Sequence, residues 1–179
     1  MRCHTVIPLL AVFSIPVTAA AAEPAQSSSH GAHVHGQAQL SFATDAQQVE
    51  LLLESPVVNL VGFEHAPGSA AEKATWQQSQ TLLQSGQWLQ LPAAANCQLQ
   101  QQQLNEPWSK SADPHHHADV ELSLTYQCST PAALTEVRLD LFRHAADLHQ
   151  VDVQWVSGQQ QGAATLTPKQ REFRLAPAN

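Results

Sequence analysis

From Asp119 to Cys128 apolar residues fall at every second position, Val120, Leu122, Leu124 and Tyr126, with polar residues between them. Successive side chains of a strand leave opposite faces of a sheet, so this spacing makes one dry face and one wet one. A helix would scatter the same residues around its axis. Asp119 to Cys128 is therefore expected to be a strand. The alternation returns in Ala38, Leu40 and Phe42, in Val49, Leu51 and Leu53, and in Val151, Val153 and Trp155. A chain with this many half-buried strands must cover one face of a sheet with something else.

The connections supply that cover. Asp45-Ala46 is a turn candidate that joins the first two alternating runs into an antiparallel hairpin, and Ser55-Pro56 ends it, because proline cannot donate to a ladder. Val57 to His65 is apolar without a clean period, and its type stays open between strand, loop and short helix. Ser69-Ala70-Ala71-Glu72 has the form of a capping box, Trp76, Leu82 and Leu83 recur on one side behind it, and Ser85-Gly86 stops the run, which predicts a helix to about Gln84. Trp88, Leu89 and Leu91 continue as an extended stretch toward Pro92, and Cys97, Leu99 and Leu104 suggest a further strand. Val137, Leu139 and Leu141 alternate as a strand would, while Leu134, Arg138, Leu141 and Phe142 suit a helix. Ala164 to Leu175 reads as a turn and a closing strand. The expected fold class is α+β, a single domain over residues 33–179, mainly antiparallel sheet with one or two helices packed on a face.

The amino terminus reads as an address rather than as part of that fold. Arg2 precedes an apolar run from Val6 to Val17 and small residues from Thr18 to Ala22. The run is about 12 residues long against the roughly 20 that a bilayer-spanning helix needs, and Ala20-Ala21-Ala22 offers a small-residue cleavage site. Residues 1–22 are thus expected to be a secretory signal peptide cut before Glu23. Retention as a signal anchor is the alternative, weakened by Pro8 and Pro16. Residues 23–32 have no period that could bury a face and read as a flexible leader. The expected location is the periplasm, with no membrane association after cleavage.

Export bears on the cysteines and on the charge. Cys3 lies in the signal, which leaves Cys97 and Cys128, and a disulfide between them is the natural reading in an oxidising compartment. It would close a loop of about 30 residues and contribute roughly 3 kcal/mol. Free thiols acting as soft metal ligands are the alternative. The formal charge of −7 grows by one unit when Arg2 is removed, so nucleic acid and anionic membrane surfaces are unsuitable partners and a cation is a suitable one. The single methionine is Met1. A copper(I) carrier normally relies on thioether or thiolate sulfur, so that class is disfavoured.

Ten histidines stand against eight lysines plus arginines, and the excess survives removal of His4 and Arg2. This inversion points to metal bound through imidazole. His33 and His35, if extended, send both rings to one face, Gly36 beside them allows close approach, and His30 lies just upstream. His115, His116 and His117 lead into the Asp119 strand. Three consecutive rings cannot all aim at one ion, so His117, nearest the strand, is the preferred ligand, with His115 and His116 as a weaker capture arm or a solvated loop. Glu64-His65 is the third candidate, against the bland reading of His65 as a core histidine. Asp119 could accept from a ligating imidazole and orient it, or be an ordinary strand-start carboxylate. His144 and His149 are weaker candidates. The tryptophans Trp76, Trp88, Trp108 and Trp155 are assigned to core packing. No H-E-x-x-H, G-x-S-x-G or phosphate-binding glycine loop is present, so an enzyme is not expected.

His33-Val34-His35-Gly36, Leu53-Glu54-Ser55-Pro56, the run Asn59-Leu60-Val61-Gly62-Phe63-Glu64-His65-Ala66-Pro67 and His117-Ala118-Asp119 together resemble the ZrgA family of zinc-regulated periplasmic proteins, over roughly His33 to Leu175. Asn59 to Pro67 is the specific part; histidine repeats alone are not. The resemblance implies periplasmic zinc binding and zinc uptake through an ABC transporter. It makes the chain an accessory carrier or reservoir, with zinc and a zinc ABC transporter or its solute-binding protein as partners. It carries His33, His35, His65 and His117 over as matching positions. The histidine-rich loop, often long in such proteins, is here three residues, which argues against a large buffering capacity. Nickel or copper(II) would bind the same imidazoles in vitro. The contrasting reading is a metal-independent interaction module of an envelope or transport complex.

Overall fold

The first alternating runs pair as expected. β1 (Gln37–Asp45) and β2 (Gln48–Pro56) form an antiparallel hairpin that aligns Leu40 with Leu53 and Phe42 with Leu51, and Ala46 in the turn takes a positive φ of 50°. A computed structural model describes residues 34–105, 107–108 and 118–175, all within one compact unit, Gly31–Asn179. The signal peptide and leader assigned to residues 1–32 lie outside the described residues. Among the described residues no helix is long and apolar enough to cross a membrane.

After β2 come α1 (Val58–Val61), α2 (Ala70–Ser85), β3 (Leu89–Gln90), β4 (Cys97–Asn105), β5 (Asp119–Cys128), β6 (Glu136–Leu139), β7 (Gln150–Ser157), β8 (Gln160–Leu166) and β9 (Glu172–Arg174). Six strands form one sheet in the order β4-β5-β2-β1-β7-β8, and β3-β6-β9 form a second. The protein is thus mostly sheet with a small helical part, a coarse match to the expected α+β class. One pairing departs from an antiparallel sheet: β1 and β7 run parallel, with Phe42 opposite Trp155.

The alternation places Leu40, Phe42, Leu53, Leu122, Leu124 and Val153 on a single dry face. α2 lies against β4 and β5 on that side, and the small sheet joins the core where Phe173 of β9 meets Phe42 edge-on at 5.7 Å. Ser69 and Glu72 form the capping box that starts α2, and Gly86 ends it in the left-handed conformation. The undecided segment Val57 to His65 divides into the single turn of helix α1 and irregular chain after it. The segment with two readings divides between them, strand at Glu136–Leu139 and a 3₁₀ turn at Leu141–Arg143. The tail differs from expectation, because Ala164 to Leu166 finish strand β8 rather than form a turn. Gly162 lies inside that strand opposite Trp155, and a Cβ there would stand 2.5 Å from the indole ring. The glycine therefore marks a place taken by a neighbouring aromatic, not a bend.

Cys97 and Cys128 face each other in the β4-β5 register and are joined in a disulfide. Both sulfurs are consumed there, which removes the free-thiol alternative.

Candidate metal site

The starts of β1, β5 and β7 and the ends of β2 and β4 lie along one rim of the large sheet, as the pairings Gln39 with Glu54, Pro56 with Asp119, Asn105 with Glu121 and Gln37 with Gln150 require. Candidate ligands were expected from segments far apart in sequence, and those that are described gather at this rim. His35 sits in the turn before β1, Glu64 and His65 follow α1, and Asp119 opens β5. His30, His33, His115, His116 and His117 lie outside the described residues.

Two of the described imidazoles at this rim meet carboxylates. His35 Nε2 is 2.6 Å from Glu64 Oε1, and His65 Nε2 is 3.2 Å from Glu72 Oε1. Both rings are solvent-accessible, with 63% and 66% of their side-chain surface exposed, so His65 is not a core histidine. Its ring leans on Phe63 at 5.4 Å. Phe63 stacks on Trp108 at 6.1 Å, and Trp108 meets Trp76 edge-on at 5.7 Å. Trp76, Trp88 and Trp155 are buried core residues as expected. Trp108 is partly buried and packs against the same core, and it is also the middle of an aromatic stack that ends on His65.

Glu72 is the participant that local reading did not assign to the site. Its Oε2 accepts from the backbone N–H groups of Gly68 and Ser69, each at 2.9 Å, which completes the α2 cap. Its Oε1 is left to face His65. Those backbone donors, with the His65 hydrogen bond adding to them, hold the Glu72 carboxyl down at about 2, well below the usual carboxylate range. At neutral pH an ionised carboxylate oxygen thus stands before the His65 ring. The only sequence signal for this second use is that Glu72 is a capping glutamate one short loop away from a histidine.

His144 and His149 do not join these pairs. His144 is exposed beyond the 3₁₀ turn. His149 precedes β7 and lays its ring edge on Gly36, where a Cβ would be 3.0 Å from Cδ2. Asp119 begins its strand partly buried. Among the described residues no three His, Cys, Asp or Glu side chains are grouped as one metal ion requires.

The donor types nonetheless suit zinc. Two ligands of one tetrahedral zinc stand about 3.3 Å apart when each metal–ligand bond is about 2.0 Å. The 3.2 Å between His65 Nε2 and Glu72 Oε1 already has that span. The His35–Glu64 contact at 2.6 Å must widen by about 0.7 Å to admit an ion in place of the shared proton.

A β-rich domain with imidazole–carboxylate pairs exposed along one rim has the donor chemistry of a protein that associates with borderline divalent cations. The chain belongs to the ZrgA family of zinc uptake proteins, whose family model matches residues 32–175. No curated protein matches it as a relative.

Proposed function

We propose that this is a periplasmic zinc-binding protein, an accessory carrier or reservoir that passes zinc to an ABC transporter or its solute-binding protein, and that it catalyses no reaction. The observation that carries the reading is the pairing of two exposed imidazoles with carboxylates around the consecutive residues Glu64 and His65. Exposed nitrogens suit a carrier, because cargo has to be taken up and handed on, whereas a structural zinc is closed off by four protein ligands.

Val34, the residue next to His33 in sequence, stands before β1 at this rim. Ala118, the residue next to His117 in sequence, accepts the Val57 N–H on its carbonyl at 2.8 Å beside the end of β2. His33, His35, His65 and His117 are the proposed zinc ligands. Glu64 and Glu72 either complete the coordination or hold the rings. His30, His115 and His116 serve as outlying capture groups, and Asp119 as an acceptor near the loop end. Protons compete with zinc for the imidazole nitrogens, so release is favoured as pH falls.

Isothermal titration with zinc, nickel and copper(II), repeated on a His33→Ala/His35→Ala/His65→Ala variant, tests the assignment. We expect zinc affinity to fall by more than about tenfold. Equal affinity in the variant would remove these residues from the site.

A further inference from the structure

Val34 to Gln37 is a tight turn, closed by the Gln37 N–H donating to the Val34 carbonyl at 3.0 Å. His35 and Gly36 are its central residues, and Gly36 has φ of +83°. A turn of this kind has two states that differ by a flip of the peptide between its central residues, and only one of them puts the second residue at positive φ. Something must select that state, because the flip changes the backbone that carries His35.

The selection is made by a buried amide. Asn59, in α1 and 1% exposed, accepts the Gly36 N–H on Oδ1 at 2.7 Å. That N–H belongs to the peptide that would flip. The Asn59 Nδ2 group donates to the Gln37 carbonyl at 2.8 Å and to Ser55 Oγ at 3.2 Å, so neither of its protons is free to swing the group elsewhere. From the other side, the Gly36 carbonyl accepts from the N–H groups of His149 and Gln150 at 2.8 and 2.9 Å. With the His149 ring where a Cβ would go, the turn is clamped on both flanks.

We infer that Asn59 is the positioning residue for His35: its carboxamide fixes the His35-Gly36 peptide in one orientation and so holds the His35 imidazole before Glu64. This rests on the zinc-binding reading above. A flipped peptide would cost the buried amide its acceptor bond, and an unmade bond in a buried site is expensive. The ring is therefore in place before the metal arrives, and affinity depends on a residue that touches neither.

The test is a double-mutant cycle on the purified full chain, with zinc affinity read by titration calorimetry and folding by circular dichroism. Asn59→Ala is expected to weaken zinc binding about tenfold, near the loss in His35→Ala, and to add nothing in the His35→Ala background. Cys97→Ala/Cys128→Ala lowers stability without touching the turn or its amide, and should leave affinity within about twofold while lowering the melting temperature. That separates positioning from general stability. If Asn59→Ala does not fold, Gly36→Ala takes its place in the cycle with the same expectation. Losses that add in the double variant, or full affinity in a folded Asn59→Ala, overturn the inference and leave the zinc reading standing. Full affinity in His35→Ala removes His35 from the zinc site and the inference with it.

Discussion

Glu72 shows how much one side chain can decide. One oxygen caps α2 and the other faces His65, so a local helix signal and a long-range contact share a carboxylate. Its folded pKa of about 2 lies below the ordinary 4.5, so the native state binds its proton less readily than the unfolded chain does. The stabilisation is therefore complete above the ordinary value and is lost as pH falls from there toward about 2. We expect the Gly68 and Ser69 amides to exchange faster with solvent over that window, once intrinsic exchange is corrected for. Glu72→Gln, which keeps an acceptor but cannot titrate, should flatten this dependence; an identical pH profile in the variant would refute it. Tyr126 behaves oppositely. Burial pushes its hydroxyl up to about 12 from 10, so its contribution is present below the ordinary value and lost as pH rises through the folded one. Tyr126→Phe should remove that alkaline component from the unfolding profile. At this scale the sequence was partly legible. A capping glutamate is recognisable from its neighbours three residues away, but the reach of Asn59 from α1 to Gly36 depends on how distant segments meet, and no local pattern encodes that.

Among the elements, the strands with strict alternation were the legible ones, because a half-buried strand leaves a mark on every residue. β8 left almost none: of Gln160–Leu166 only Leu166 is buried, and Gly162 resembles a turn signal until Trp155 is known to lie over it. β4 was legible mainly through its cysteine and two leucines, since the rest is glutamine and asparagine. An edge strand with so little buried surface gains most from a covalent tie. The Cys97–Cys128 bond, spanning 31 residues, supplies one where β4 begins. Cys97→Ala/Cys128→Ala is expected to cost about 3 kcal/mol, seen as a lower urea midpoint, and wild-type protein under reductant should fall to the same midpoint. A reductant-insensitive midpoint would mean that the disulfide adds no stability.

For the whole molecule, ligand linkage is the relevant quantity. A single zinc at a hundred times its dissociation constant stabilises the folded state by about 2.7 kcal/mol, which in a domain of this size raises the melting temperature by roughly 5–10 °C. The rise should vanish with chelator and shrink in the His35→Ala/His65→Ala variant; a melting curve indifferent to zinc would contradict tight binding. Which side chains meet at the rim was not legible, since spacing along a strand fixes direction but not the partner across the sheet.

The parallel pairing of β1 with β7 has a kinetic consequence. Thr44 lies beside Ser157, so the middle of the large sheet cannot close until almost the whole polypeptide is available. Before then one side of β1 offers bare amides and carbonyls to any other unfolded chain. Contacts of such long sequence separation place the domain among slow folders, with times of milliseconds to seconds. A nascent molecule must be kept from self-association over that interval.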